Sequence, residues 1–278
     1  MRPHISSKDY CRVRSWWLVL IFTLSLALII GCRSQTDQRH TLTIAGSTSV
    51  QPFAEKLAEI YMQEHPDLLI NVQGGGSSAG ILAVEQGAAD IGTSSRDLTP
   101  EEKHLNDIAI AWDGIAIIVH PSCPLENLSL EKLRQIFTGQ IQNWRQLGLE
   151  PHGIHAITRE EGSGTRNAFE ELVMGQAEIT PAALVQDSNG SVREIVANDP
   201  YALGYISVGL VNDRVKALAI DGVKPSSINI KEKRYKLIRR FYFVTRDTPS
   251  RTAKNFIDYV LSRKGQLLLE VEGLVSVH

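Results

Sequence analysis

The chain has 278 residues, 43% of them hydrophobic and 22% charged, with a formal net charge of −2. That is a globular composition with apolar material for a sizeable core, and its length suits one large domain or two lobes. Neither the overall charge nor any broad basic surface favours a nucleic-acid role.

The first segment is a leader to be set aside before the fold is read. Arg12 and Arg14 form a basic flank, and "WWLVLIFTLSLALII", Trp16 to Ile30, is a nearly continuous apolar run of 15 residues. A spanning helix needs about 20, so the run fits a signal segment better. It ends in "LIIGCRS", which is similar to a bacterial lipobox. That similarity implies a signal peptide over 1–31, cleavage before Cys32 and a lipid, such as palmitate, anchoring Cys32 to the membrane. The alternative is an uncleaved anchor with an incidental cysteine; both place the rest of the chain outside the cytoplasm, in a periplasm or on a cell surface. Residues 32–40 read as a polar tether. Without residues 1–31 the chain keeps 25 basic and 30 acidic side chains, a net charge of about −5. Cys123 is then the one cysteine left besides Cys32, and it is assigned no chemistry.

Beyond the tether, strand and helix patterns alternate. "TLTIAG" reads as a strand, and Val50, Phe53, Leu57, Ile60 and Tyr61 follow at helical spacing. "LLINVQGGG" is a second strand, "SSAGILAVEQG" a helix closed by Gly87, and "ADIGTSS" a third strand. "TPEEKHL" opens a helix with Thr99 as N-cap and Pro100 at its first position. "IAIAWDGIAIIVHP", Ile108 to Pro121, is a long apolar run that Asp113-Gly114 is expected to interrupt with a bend. The same style then returns: helix "SLEKLRQIFTG", strand "HAITRE", helix "SGTRNAFEELVMG", helix "SVREIVANDP" and strand "ALGYISV". The basic run "KEKRYKLIRR", Lys231 to Arg240, reads as a solvated strand face. "YKLIRRFYFVT", Tyr235 to Thr245, is a second long strand, and "PSRTAKNFIDYVLSRKG" one long helix. The pattern is α/β. Two long strand-like runs around a middle segment imply two lobes joined by two crossings: 41–114 with 239–278, and an inserted 115–238. Trp112 and Trp144 are expected to be structural.

A small-residue turn recurs between strand and helix, as "AGSTSV" (Ala45–Val50), "QGGGSSAG" (Gln73–Gly80) and "REEGSGTR" (Arg159–Arg166). Glycine lets a backbone approach a ligand closely, helix starts leave N–H donors unpaired, and Ser and Thr add rotatable hydroxyls. Such a combination suits a small oxyanion. Any one of these turns alone could be a plain helix cap; three, at the strand ends where α/β lobes bind ligands, argue for a shared cleft. Arg159 supplies a fixed charge with forked donors, or else an ion pair with Glu160 or Glu161, and both are compatible. With a net negative chain, attraction for an anion must be local.

Together "TIAGSTSVQPFAEKLA", "VQGGGSSAG", "ADIGTSSR", "DGIAIIVHP", "LRQIFTGQIQNW" and "ITREEGSGTRNAF" resemble the phosphate-binding lipoprotein family of the bacterial ABC phosphate importer. The resemblance spans nearly the whole mature chain. It implies a type II periplasmic-binding-protein fold, two hinged lobes with phosphate in the interlobe cleft, a monomer that docks on a membrane permease, and no cofactor or metal. Carried over position by position, Thr48 and Ser49 match the first turn of the family's site, Ser77 the second, and Arg159, Ser163, Gly164 and Thr165 the third. Long-chain members place an Asp acceptor where this chain has Ser95. Asp113 is the candidate substitute acceptor, unless Asp113-Gly114 only shapes the bend.

Other functions are less well served. A nucleophile elbow needs G-x-S-x-G, and the run Gly162-Ser163-Gly164-Thr165 lacks that spacing; no metal-ligand spacing is present, and "GGGSS" lacks a P-loop lysine. A phosphate-ester hydrolase is therefore disfavoured. A binding protein for sulfate, molybdate or tungstate, or a sensing or adhesive protein on the same scaffold, is the remaining alternative.

Overall fold

A computed structural model describes residues 40–278. The expected leader, Cys32 and the tether up to Arg39 lie outside the described residues, and His40 already begins the first strand. The strands are β1 (His40–Gly46), β2 (Leu68–Gln73), β3 (Ile91–Ser94), β4 (Asn106–Val119), β5 (Asn127–Leu128), β6 (His155–Arg159), β7 (Leu184–Gln186), β8 (Ala202–Ser207), β9 (Lys216–Ala217), β10 (Ala219–Ile220) and β11 (Ile238–Thr245). The α-helices are α1 (Gln51–Glu64), α2 (Ser77–Glu85), α3 (Leu130–Phe137), α4 (Gly164–Phe169), α5 (Asn189–Asn198), α6 (Ser227–Lys231), α7 (Arg251–Leu261) and α8 (Arg263–Val271).

The main sheet has the order β2-β1-β3-β11-β4-β8-β6-β7, with β9 on β4, and β10 pairs β5 separately. β1 lies parallel between β2 and β3, with α1 and α2 as crossovers. β4 is the pivot of the arrangement. Over Asn106–Gly114 it pairs antiparallel with β11, and from Ile115 to Val119 it pairs with β8. The expected interruption at Asp113-Gly114 is absent, because both residues stay within one continuous strand. Their place is instead the point where the strand exchanges partners. A Cβ at Gly114 would sit 2.8 Å from Ile230 Cδ1 and 2.9 Å from Val208 Cγ2, so any larger residue there would have to displace these side chains.

Apolar side chains gather on both faces of the sheet, as nearly continuous hydrophobic strands require. One core joins Ile44, Phe53 and Leu57 to Ile110, Phe241, Phe243 and Phe256. Another joins Ile115, Ile117 and Val119 to Phe137, Phe169 and Tyr205. Phe169 stacks on Tyr205 at 4.1 Å, and Phe137 meets Phe169 edge-on at 4.7 Å, contacts worth about 0.5–1.5 kcal/mol beyond area burial. These two cores lie on either side of the β4 exchange point, which gives two lobes. Trp144 is buried, its Nε1 donating to the Tyr201 carbonyl, and Trp112 carries the Arg240 guanidinium over its ring; both have structural contacts.

Two expected helices differ. Thr99 does cap a turn, with Glu102 completing a capping box, but only the 3-10 turn Pro100–Glu102 forms. The long C-terminal helix is broken at Ser262, whose extended backbone ends α7 and whose Oγ caps α8 through Gly265 N–H. No helix among the described residues is long and apolar enough to cross a membrane.

Candidate functional site

The three small-residue turns converge. Gly46 and the loop before α1 present Ser47, Thr48 and Ser49; the start of α2 presents Ser77; β3 ends at Ser94, with Ser95 next; and β6 ends in Arg159, five residues before α4. Ser49, Ser77, Ser95, Arg159, Ser163 and Thr165 are all buried. Buried hydroxyls and a buried guanidinium are costly unless they are hydrogen-bonded, and here Ser49 pairs with Thr165 and Ser77 with Ser95, while Arg159 is held by its own loop neighbours.

The first and third turns touch directly. Ser49 Oγ lies 2.7 Å from Thr165 Oγ1, and Arg159 Nη2 donates to Thr48 Oγ1 at 3.1 Å. The second turn meets the third through backbone, Ser78 N–H donating to the Gly162 carbonyl at 3.2 Å. Gly164 is where no side chain fits: a Cβ there would stand 2.3 Å from Ser77 Oγ and 2.7 Å from Ser95 Oγ. Ser95 N–H donates to Ser77 Oγ, and Ser47 Oγ donates to Ser95 Oγ at 2.9 Å. All the expected site residues except Asp113 and Cys32 thus fall in this region. Ser163 Oγ accepts from Arg166 N–H as the cap of α4, which leaves its own proton to donate.

Arg159 is fixed by several partners. Its Nε and Nη2 fork onto Glu160 at 3.0 and 2.9 Å, and the Gln186 and Asp187 carbonyls accept from the same two nitrogens. Glu160, rather than Glu161, is the carboxylate that orients it. Nη1 is buried and has no hydrogen-bond partner among the described residues.

Asp113 is fully buried, but both its oxygens are engaged. Arg239 Nε donates to Oδ2 at 2.9 Å and Ser207 Oγ to Oδ1 at 2.8 Å. Burial pushes its pKa up, while Arg239 and Ser207 pull against that rise. The candidate acceptor is therefore the partner of an arginine and stands one side chain back from the hydroxyl cluster. Arg239 itself reaches the cluster, its Nη2 donating to Ser49 Oγ at 3.2 Å. The basic run ending at Arg240 is thus not a uniformly solvated face, because Arg239 is buried where Arg240 is exposed.

Three residues in the cluster escaped the sequence reading: Ser47, Asn189 and Arg239. Asn189 Nδ2 donates to Ser49 Oγ at 2.8 Å and to Thr48 Oγ1 at 3.3 Å, while its Oδ1 accepts from Ser207 N–H. For Arg239 no local signal existed, because what marks it is its directly paired residue on β4, the acidic Asp113.

Chemically, the cluster is rich in donors. It contains two guanidinium groups, an amide and a ring of hydroxyls, and Asp113, the carboxylate on its inner side, is already paired. This can hold a small oxyanion by charge-assisted hydrogen bonds. It offers neither a His-activated nucleophile nor, among the described residues, a group of His, Cys, Asp and Glu side chains able to hold a metal.

Comparison with known proteins agrees with that chemistry. A model of the PBP superfamily domain matches residues 33–264. The phosphate-binding protein PstS of Bacillus subtilis is 38% identical over 240 residues, spanning 84% of this chain and 79% of the relative. PstS of Borreliella burgdorferi is 28% identical and spans 94% of this chain and 98% of its own. A crystal structure from Clostridium perfringens, described as a phosphate ABC transporter substrate-binding protein with bound phosphate, superposes with a TM-score of 0.84 at 40% identity, covering 86% of this chain and 100% of that one. An ABC-type phosphate transport receptor from Vibrio cholerae gives 0.70 at 38% identity, covering 84% and 99%.

Proposed function

The chain belongs to the PstS family of phosphate-binding proteins within the PBP superfamily, and from that premise we propose that it captures inorganic phosphate between its lobes and hands it to an ABC permease. It is a binding component, and no bond is made or broken in the ligand. The observation that carries the reading is the meeting of the three turns around Arg159, whose buried Nη1 has no partner among the described residues. Ligands of a cleft between lobes shift the population toward the form in which both lobes engage. Thr48, Ser49, Ser77 and Ser95 would hold the anion from the lobe of residues 41–114 and 239–278. Arg159, Ser163, Gly164 and Thr165 would hold it from the lobe of 115–238, Gly164 through its N–H.

Asp113 serves this site through Arg239 rather than as the acceptor for protonated phosphate. We further propose that residues 1–31 are removed, that lipid on Cys32 keeps the protein at the outer face of the membrane, and that it works as a monomer. Mass spectrometry of the membrane-extracted chain should show a diacylglyceryl mass beginning at Cys32, and the Cys32→Ala chain should leave the membrane fraction.

Calorimetry on ligand-stripped protein tests the binding reading. Phosphate should give saturable one-to-one heat, and sulfate and molybdate much weaker responses. No heat with phosphate, or equal heats with all three, would contradict the reading.

A further inference from the structure

Two buried guanidinium groups meet at one hydroxyl cluster, and only one of them was expected. Arg239 lies on β11 directly across from Asp113 on β4, at the place where β4 exchanges β11 for β8. Its Nε is held by Asp113 at 2.9 Å and its Nη2 by Ser49 Oγ at 3.2 Å, while Nη1 is buried without a partner among the described residues. Arg159 shows the same pattern: two nitrogens anchored and a buried Nη1 with no partner among the described residues. A buried polar group left without a partner is costly, and more so when it is charged. Two such groups in one cluster call for a shared anionic acceptor.

The hydroxyls between them are turned the same way. Ser49 Oγ accepts from Asn189 and Arg239, and Thr48 Oγ1 accepts from Arg159 and Asn189. With two lone pairs each, both oxygens have their acceptor capacity filled; Ser49 therefore passes its proton to Thr165 Oγ1, and the hydroxyl protons left for an anion are those of Thr48 and Thr165. Ser77 and Ser95 keep one acceptor position between them: Ser77 Oγ receives Ser95 N–H, Ser95 Oγ receives Ser47 Oγ, and one of the two oxygens accepts from the other at 3.4 Å. A shell of many donors and few acceptors suits an anion carrying at most one proton.

We propose that Arg239 is a second direct ligand of the captured anion, so that phosphate is held between two guanidinium groups and is taken up preferentially as the dianion. This rests on the reading of the cluster as a phosphate site. Asp113 is then a positioning residue that aims Arg239 from the exchange point of β4. The charged and titratable groups around Arg239 are Asp113, Arg159 and Tyr205, with Tyr235 beside Asp113, and Arg96, Asp97, Glu171 and Arg240 line the pocket it borders. None is a histidine, so a change in affinity around neutral pH reports the ionisation of phosphate.

The test is calorimetry on ligand-stripped full-length protein with inorganic phosphate at pH 6 and pH 8. Wild type should bind about tenfold tighter at pH 8, following the larger dianion fraction. Asp113→Asn with Arg239→Gln replaces the ion pair by two amides, so neither charge is left buried alone. Compared with Asp113→Asn alone, the double variant should bind about a hundredfold more weakly at pH 8, with the pH difference reduced. Equal affinity and an unchanged pH profile for the two would overturn the proposal. If the double variant does not fold, Arg239→Lys keeps the charge and loses the fork; it should weaken binding about tenfold, and unchanged affinity would overturn the proposal. Absence of phosphate binding by wild type would instead overturn the underlying phosphate reading, and the proposal with it.

Discussion

Ser49 Oγ lies 2.7 Å from Thr165 Oγ1, although 116 positions separate them in the chain. Ser49 belongs to the turn before α1 and Thr165 to α4, so the contact ties one lobe to the other. It is part of a larger clasp, because Asn189 and Arg239 both donate to the same serine oxygen. Ser49→Ala would leave those two donors without their acceptor and Thr165 without its partner. Phosphate affinity should fall by about ten- to a hundredfold, the scale of one or two hydrogen bonds involving charged groups. Titration calorimetry checks this, and affinity within a factor of two of wild type would remove Ser49 from the shell.

Gly164 tests the approach of the lobes without removing a polar group. Its missing Cβ would meet Ser77 Oγ at 2.3 Å and Ser95 Oγ at 2.7 Å, and both atoms belong to the opposite lobe. Alanine is acceptable at the start of α4 itself, so Gly164→Ala should fold with a melting temperature near that of wild type. Phosphate affinity should drop by at least about tenfold, since closure is what completes the shell. Small-angle scattering should show no phosphate-induced compaction in this variant, and normal compaction would contradict the steric argument.

Ser95 is the residue on which discrimination between oxyanions is expected to rest. Phosphate carries a proton that needs an acceptor, and sulfate does not. Ser95 Oγ receives one hydrogen bond from Ser47 and, donating its own proton to Ser77 Oγ, has a lone pair left. Ser95→Ala should therefore weaken phosphate by about tenfold and leave the weaker sulfate binding nearly unchanged. Parallel loss of both anions would show Ser95 to be a donor only.

Stability in acid should report the pair beside the site. Arg96 donates to both oxygens of Glu102, at 2.7 and 2.8 Å, and the Arg96 hydrogen bond holds the Glu102 carboxyl below its usual range. A folded-state pKa below the unfolded value gives stability that is present above the unfolded pKa and lost as pH falls through the folded one. Glu102→Gln should thus melt lower than wild type at pH 7. The difference should close as pH drops below the ordinary glutamate range near 4.3. A constant difference across that range would assign the effect to packing or capping instead of charge.

What could be read from the sequence was what is written locally. The turns at Ala45–Val50, Gln73–Gly80 and Arg159–Arg166 each show glycine and hydroxyls between a strand and a helix, and the structure brings them together. Arg239 could not be read in the same way, because its burial depends on pairing with Asp113, 126 positions away. Within "KLIRRF" it has the same composition as its exposed neighbour Arg240, and only the pairing register decides which one faces inward. Asn189 is hidden for a similar reason, since in sequence it is a polar residue at a helix start whose target lies in another lobe. The break at Ser262 was masked by apolar residues that keep helical spacing on either side of it. The continuity of β4 was masked by an Asp-Gly pair that ordinarily signals a turn; here the carboxylate is satisfied by Arg239 and Ser207, and the glycine fits against Ile230 and Val208.

The most direct test is a crystal structure of the ligand-stripped protein grown with phosphate. Tetrahedral density should lie within hydrogen-bond reach of Arg159 Nη1, Ser49, Ser77 and Thr165. Phosphate bound elsewhere, such as the exposed groove near Lys231, Lys233 and Lys236, with the Arg159 cluster unoccupied, would contradict the account.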